Sequence, residues 1–206
     1  MAAENPHVCN RARPAVLITG ASSGIGAACA LELDRRGLRV FAGVRRTQDG
    51  RRLEAQASPN LAHVLLDVTD PAAIETAAAM LRAVLGDAGL AGLVNNAGIA
   101  VAGPLELLPL AASRRQLEVN VVGQLAVIQA MLPLLRQARG RIVNIGSANG
   151  ALSVPYLGAY SSSKHALEAL TDALRLELRH SGVTVTVIEP GPIRTPIWQK
   201  TRSSAD

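Results

Sequence analysis

Short apolar runs alternate with longer stretches of helical period along the chain. Runs dense in Val, Ile, Leu and Ala lie at 15–19, 39–44, 63–66, 92–95, 141–145 and 184–188. Continuous apolar character is what a strand buried on both faces requires, so these six runs predict strands of a parallel sheet. Between them, apolar positions spaced three and four apart predict helices at 25–36, 48–57, 71–85, 113–137 and 160–180. Strict alternation of strand and helix predicts an α/β doubly wound parallel sheet with helices on both faces. Right-handed crossovers leave few topologies, of which the strand order 3-2-1-4-5-6 is the expected one.

Composition narrows this picture without redirecting it. The 206 residues suit one domain over 14–206, after a polar segment at 1–13 expected to be a flexible tail. With 49% of residues hydrophobic, the core can be sizeable. The 1–13 segment has no hydrophobic stretch resembling a signal peptide, and no uninterrupted apolar run reaches the ~18 residues that span a bilayer, so a cytoplasmic protein without a membrane span is expected. The net charge of +5 comes from scattered arginines, and aromatic residues are only 2% of the chain, which argues against nucleic-acid binding. Cys9 and Cys29 match no metal or redox spacing and read as free thiols, so no metal site is expected.

Two rare residue types mark the candidate chemistry. Tyr160 is one of two tyrosines, with Tyr156, and Lys164 one of two lysines, with Lys200. Four residues apart on a helix they share a face, so an ammonium would sit beside a phenol and favour its ionised form. That pair makes a general acid/base. Thr19-Gly20-Ala21-Ser22-Ser23-Gly24-Ile25-Gly26 falls where the first strand should turn into the first helix. Glycines there permit a tight turn and close approach of the backbone, and a helix N-terminus offers free N–H groups to an anion such as a dinucleotide pyrophosphate. A purely structural turn would explain a lone motif of this kind as well.

With these motifs, the chain resembles the short-chain dehydrogenase/reductase family, whose first glycine spacing it shares. The resemblance continues in the family's order through Asp67, Asn95-Asn96-Ala97-Gly98, Asn120, Ser147, Tyr160-x-x-x-Lys164 and Pro190-Gly191-Pro192-Ile193-Arg194-Thr195. It covers roughly residues 15–198 and implies a Rossmann fold. The strings at 40–45 and 188–198 resemble the steroid and retinol dehydrogenase-like branch.

The resemblance implies a catalytic centre of Ser147, Tyr160 and Lys164, with Asn120 as a fourth member at a helical irregularity where an ordered water links Lys164 to solvent. Tyr160 would exchange a proton with the substrate oxygen. Lys164 would stabilise its phenolate and grip the nicotinamide ribose, and Ser147 would hydrogen-bond the reacting oxygen. It further implies cofactor contacts from Gly20, Ser22, Ser23, Gly24, Ile25 and Gly26, from Asp67 and Val68 at the adenine, and from Asn95, Ala97 and Gly98 beside the ribose. Tyr160, Lys164, Pro190 and Gly191 belong to the same set, with Ile193 and Thr195 at the carboxamide. Taken singly, Asn120 reads equally as a packing amide, Ser147 as a loop hydroxyl, and 95–98 as a supporting turn.

In NAD-using relatives an acidic residue ends the second strand and holds the ribose diol. Here that place is Val44, followed by Arg45 and Arg46. An arginine fork can clasp a 2′-phosphate, so NADP is expected over NAD, with Arg45 the main ligand; two solvated surface charges are the alternative. Ile99, Val101, Leu152, Val154, Leu157 and Ile197 are expected to line an apolar cavity for a small lipophilic alcohol or carbonyl compound.

Relatives continue past the Pro-Gly segment through a substrate-covering lid and a last strand, which a chain ending at Asp206 is expected to lack. A cofactor-binding domain with little or no activity is therefore the second functional expectation. Sugar-nucleotide epimerases of the extended type fit less well, since they need a large C-terminal substrate domain. The helices at 113–137 and 160–180 form the dimer interface in relatives, so a homodimer is expected.

Overall fold

The computed structural model describes residues 13–197. Apart from Arg13, the segment 1–13 lies outside the described residues, as do Cys9, Trp198 and Lys200. The six strands are β1 (Ala15–Ile18), β2 (Arg39–Val44), β3 (Leu61–Leu65), β4 (Gly92–Asn95), β5 (Arg141–Ile145) and β6 (Thr184–Ile188). They form one sheet in the order β3-β2-β1-β4-β5-β6, and every pairing is parallel. The α-helices are α1 (Gly24–Arg35), α2 (Thr47–Glu54), α3 (Pro71–Leu85), α4 (Leu110–Leu117), α5 (Gly123–Ala138) and α6 (Gly158–Leu178).

The apolar runs are strands because both sheet faces are covered. Along β1, Ala15 and Leu17 enter the core beneath α3 and α5, while Val16 and Ile18 point the other way into the core beneath α1 and α2. Alternate side chains thus serve two different cores, and no polar position is left to alternate. Cys29 packs at the margin of the second core, where burial pushes its thiol up. β6 alternates most sharply, with Val185 buried between exposed Thr184 and Thr186, and among the described residues it pairs with β5 alone.

Of the boundaries that differ from the expected ones, two do so for identifiable reasons. β3 begins at Leu61 rather than 63, because Leu61 and Ala62 pair with Val40 and Phe41. The helix expected at 113–137 starts earlier, at Leu110, and is interrupted by a π-helical turn at Glu118–Val122. There the Gly123 amide reaches back five residues to the Glu118 carbonyl. A Cβ on Gly123 would lie 2.5 Å from the Val68 carbonyl oxygen, so the helix and the loop after β3 approach as closely as backbone permits. This composite helix, Leu110–Ala138, is long and apolar enough to cross a membrane by length and composition. Part of its apolar surface is used in the core: Val127, Ile128, Met131, Leu134 and Leu135 are buried against α3.

α3 shows how locally some boundaries are written. Asp70 caps it by accepting from the Ala72 and Ala73 amides, and Pro71 occupies the first turn, where a missing N–H costs nothing. The strand order reverses at β1, whose neighbours are β2 and β4, so the C-terminal ends of these strands splay open into a crevice.

Candidate functional site

A cavity of about 820 Å³ occupies that crevice. Its floor begins at the glycine-rich turn between β1 and α1. Gly20 and Gly24 have φ of +64° and +59°, a region favouring glycine. Asn96 holds this turn from the neighbouring strand end: its Nδ2 donates to the Thr19 and Gly20 carbonyls at 2.9 and 3.1 Å. The Asn96 and Ala97 amides both donate to Thr19 Oγ1 at 3.0 Å. The first-turn N–H groups of α1 are thereby presented towards the cavity, a cradle for an anion.

Most of the residues expected at the site are brought together here. Gly20, Ser22, Ser23, Gly24 and Ile25 line the cavity with Arg45, Asp67, Val68, Ala97 and Gly98. Ser147, Tyr160, Lys164, Pro190, Gly191, Ile193 and Thr195 complete the wall. A Cβ on Gly24 would lie 3.3 Å from Thr195 Cβ, which places the Pro-Gly segment directly against the glycine turn.

Three expected residues do not face the cavity. Asn95 is fully buried, with Nδ2 donating to Asn144 Oδ1 at 3.1 Å, and Asn144 passes the chain on to Thr171 Oγ1 at 2.9 Å. It ties β4 to β5 and, through Asn144, to α6; the asparagine beside the cavity is Asn96. Gly26 faces inward as well, because a Cβ there would lie 2.4 Å from Asn96 Nδ2 and 2.6 Å from the Gly20 carbonyl oxygen. Its role is to let α1 pack against the turn. Asn120 is fully buried within the π-helical turn, the irregularity expected of it. Its Oδ1 accepts from the Ile99 amide at 2.9 Å, and its Nδ2 donates to the Ile99 carbonyl at 3.0 Å and to Ser163 Oγ at 3.1 Å.

Asn120 is the middle of a stripe that sequence reasoning missed. Gln116, Asn120 and Gln124, four residues apart, are all fully buried and all bind the segment after β4. Gln116 accepts from the Val101 amide and donates to the Ile99 carbonyl, both at 2.7 Å, while Gln124 donates to the Ala97 carbonyl at 2.9 Å. Three amides at helical spacing were the available signal. The same helix offers the cavity another face, Ala111, Arg114, Arg115, Glu118 and Val119, also spaced three and four apart. Of the apolar residues expected to line the cavity, Ile99 and Ile197 do so, whereas Val101, Leu152, Val154 and Leu157 stand outside its lining; Leu152 and Val154 are exposed.

At the inner end, Tyr160 and Lys164 are both nearly buried on α6, and the ammonium sits 5.8 Å from the phenol ring centroid. Lys164 Nζ donates to the Ile145 carbonyl at 2.7 Å. Burial drives its pKa down to about 8, against the opposing pull of Glu168. Burial pushes the Tyr160 phenol up, and a hydrogen bond with the Ser147 hydroxyl pulls it back. Ser147 is fixed in turn: its Oγ accepts from the Asn149 amide at 3.2 Å, and the flanking Gly146 and Ala148 amides donate to Ile188 and Pro190 carbonyls at 2.8 and 3.1 Å. A phenol and a hydroxyl thus converge on one point, with a cation behind the phenol.

At the outer end the charge is basic around one carboxylate. Burial would raise Asp67, but the Thr69 amide and hydroxyl, with Arg45 and Arg115, together hold it below the usual carboxylate range. Arg45 comes from the end of β2 and Arg115 from α4, so the two guanidiniums reach this end from separate elements. Glycine cradle, guanidiniums and a phenol–hydroxyl pair at opposite ends fit a phosphorylated dinucleotide. Among the described residues no group of three or more His, Cys, Asp or Glu side chains could hold a metal ion.

Comparison with known proteins agrees with this arrangement. The family described as short chain dehydrogenase matches residues 14–206. The chain is 48% identical over 188 residues to 3-amino-tetrahydro-pyrrolizinone reductase of Xenorhabdus hominickii, covering 91% of this chain and 64% of that protein. It is 45% identical over 183 residues to human retinol dehydrogenase 5, covering 88% of this chain and 57% of that one. Each of these relatives is therefore matched over less than two thirds of its length. Among solved structures, ElxO with NADP bound superposes with a TM-score of 0.85 at 30% identity, over 94% of this chain and 79% of that one.

Proposed function

The chain belongs to the short-chain dehydrogenase/reductase family, in its steroid/retinol dehydrogenase-like branch, and from that premise we propose that it is an NADP-dependent oxidoreductase interconverting a lipophilic secondary alcohol and its ketone, or an aldehyde. The observation that carries the reading is the convergence of Tyr160, Ser147 and Lys164 at one end of a cavity whose other end holds the glycine turn and Arg45. A nicotinamide held by Lys164, Ile193 and Thr195 would supply or accept a hydride at the substrate carbon. In reduction the Tyr160 phenol gives its proton to the carbonyl oxygen, and in oxidation the phenolate takes it back. Ser147 donates to the same oxygen as charge develops on it. Lys164 lies beside the ring and favours the phenolate electrostatically.

NADP is the preferred partner because Arg45, with Arg115 opposite, offers a guanidinium fork where a 2′-phosphate would lie and a carboxylate would repel it. The NADP in the ElxO structure supports this preference, and NAD is the weaker candidate. Ile99 and Ile197 in the cavity wall support an apolar substrate. Titration with NADPH and NADH in parallel, followed by nicotinamide fluorescence, tests the reading. Tighter NADPH binding supports it; equal or preferential NADH binding refutes the cofactor assignment, binding of neither refutes both functional expectations, and NADPH binding without turnover leaves the second, a cofactor-binding domain with little or no activity.

A homodimer through α4, α5 and α6 accompanies this reading. Leu110, Leu117, Val122 and Leu176 stand exposed on the composite helix and α6, apolar surface suited to close helix packing. Light scattering at micromolar concentration is expected to give twice the chain mass, and a monodisperse monomer would refute it.

A further inference from the structure

Tyr160, Lys164 and Glu168 occupy successive four-residue steps of α6, so a phenol, an ammonium and a carboxylate share one face of the helix. The carboxylate is the anomalous member. Its Oε1 is buried with no hydrogen-bond partner among the described residues, an arrangement costly unless something compensates for it. The loop that carries Ser147 is moulded around this oxygen: a Cβ on Gly146 would lie 2.8 Å from it, and one on Gly150 3.1 Å. Val187 Cγ2 crowds the Gly146 position equally, at 2.8 Å. Neither glycine has a positive φ, so it is space rather than turn geometry that asks for glycine on both sides of Ser147.

Lys164 Nζ meets the Ile145 carbonyl, the group immediately before Gly146, so the ammonium and the carboxylate approach the same loop from one helix. The charges acting on Glu168 are Lys164, Asp172 and Arg175 on α6 and Glu189 just beyond β6. Burial, Glu189 and Asp172 push its carboxyl up, and Lys164 and Arg175 oppose them. The effect is reciprocal, since Glu168 is the charge that holds Lys164 up against burial.

We infer that Glu168 is a positioning residue of this centre: from behind the Ser147 loop its carboxylate keeps the buried Lys164 charged, and so keeps a cation beside the Tyr160 phenol. The inference rests on the oxidoreductase reading for its meaning, because Glu168 acts only through Lys164. Its physical content is measurable without any reaction. The chain has two lysines, so ε-13C-lysine labelling gives two NMR signals, and Lys200→Arg assigns them. In the wild type the Lys164 signal is expected to titrate near 8. Glu168→Gln and Glu168→Met are each expected to lower that midpoint by about one pH unit, the size of a nearby-charge effect. The methionine variant has no unpartnered buried oxygen but leaves the Lys164 ammonium without its counter-charge, so it is expected to fold and to melt below wild type at neutral pH; if glutamine prevents folding, methionine carries the test.

A folded variant titrating Lys164 at the wild-type midpoint overturns the inference and leaves Glu168 a packing residue. Where NADPH-dependent turnover is present, the alkaline limb of its pH profile should move down by the same interval, a shift that mere loosening of the loop would not produce. Absence of turnover in the wild type would refute the oxidoreductase reading, while the NMR midpoints would still decide whether Glu168 holds the charge.

Discussion

Tyr160→Phe is expected to lower NADPH-dependent turnover of a lipophilic ketone by about 10²- to 10⁴-fold, the range contributed by a positioned acid or base, while leaving NADPH affinity within about threefold. The reasoning is geometric. The ring is nearly buried on α6 and keeps its packing in phenylalanine. Only the hydroxyl is lost, and with it the hydrogen bond to Ser147, worth about 1 kcal/mol to the fold. Neither neighbour substitutes: Lys164 points at the Ile145 carbonyl, and the Ser147 hydroxyl is a far weaker acid than a phenol. Turnover by the variant at the wild-type rate would refute the assignment of Tyr160 as acid/base. Loss of NADPH binding together with turnover would instead place Tyr160 in cofactor binding.

Arg45→Ala is expected to weaken NADPH binding about 10- to 100-fold and to leave NADH binding unchanged. Charge-assisted hydrogen bonds contribute ~1.5–3 kcal/mol each when well formed, and the exposed position of Arg45 places the effect at about the worth of one such bond rather than two. Arg115 acts on the same carboxylate, Asp67, from α4, so part of the preference should survive and should fall further at high salt. Parallel titrations of both cofactors separate the possibilities. An equal loss for NADPH and NADH would mean that Arg45 supports the fold of the β2 end rather than reading a phosphate, and no change for either would make it a solvated surface charge.

The contrast between Arg45 and Arg115 illustrates what a sequence discloses. Arg45 is legible because it follows β2 by position, and strand ends are fixed by a local apolar run. Arg115 sits on a helix whose cavity face is defined only once the π-helical turn sets its phase against the sheet. The adjacent asparagines make the same point at shorter range. Alternation along β4 puts Asn95 on the side of buried Leu93, inside the core, and leaves Asn96 at the strand end to latch the glycine turn. The signal was present in the spacing from Leu93, but a motif names both residues without stating the phase.

By itself the sequence determined the parallel sheet, its strand order, the glycine turn at the first helix and the pairing of Tyr160 with Lys164, because each follows from periodicity, from the right-handedness of crossovers or from residues a few positions apart. Tertiary structure decided the rest: that Asn95, Gly26 and Asn120 turn away from the cavity, that Gln116 and Gln124 hold its wall, and that Glu168 Oε1 lies buried behind the Ser147 loop with no hydrogen-bond partner among the described residues. Those relations join residues from elements distant in the chain, and their orientation depends on how helices seat on the sheet, which local spacing does not encode.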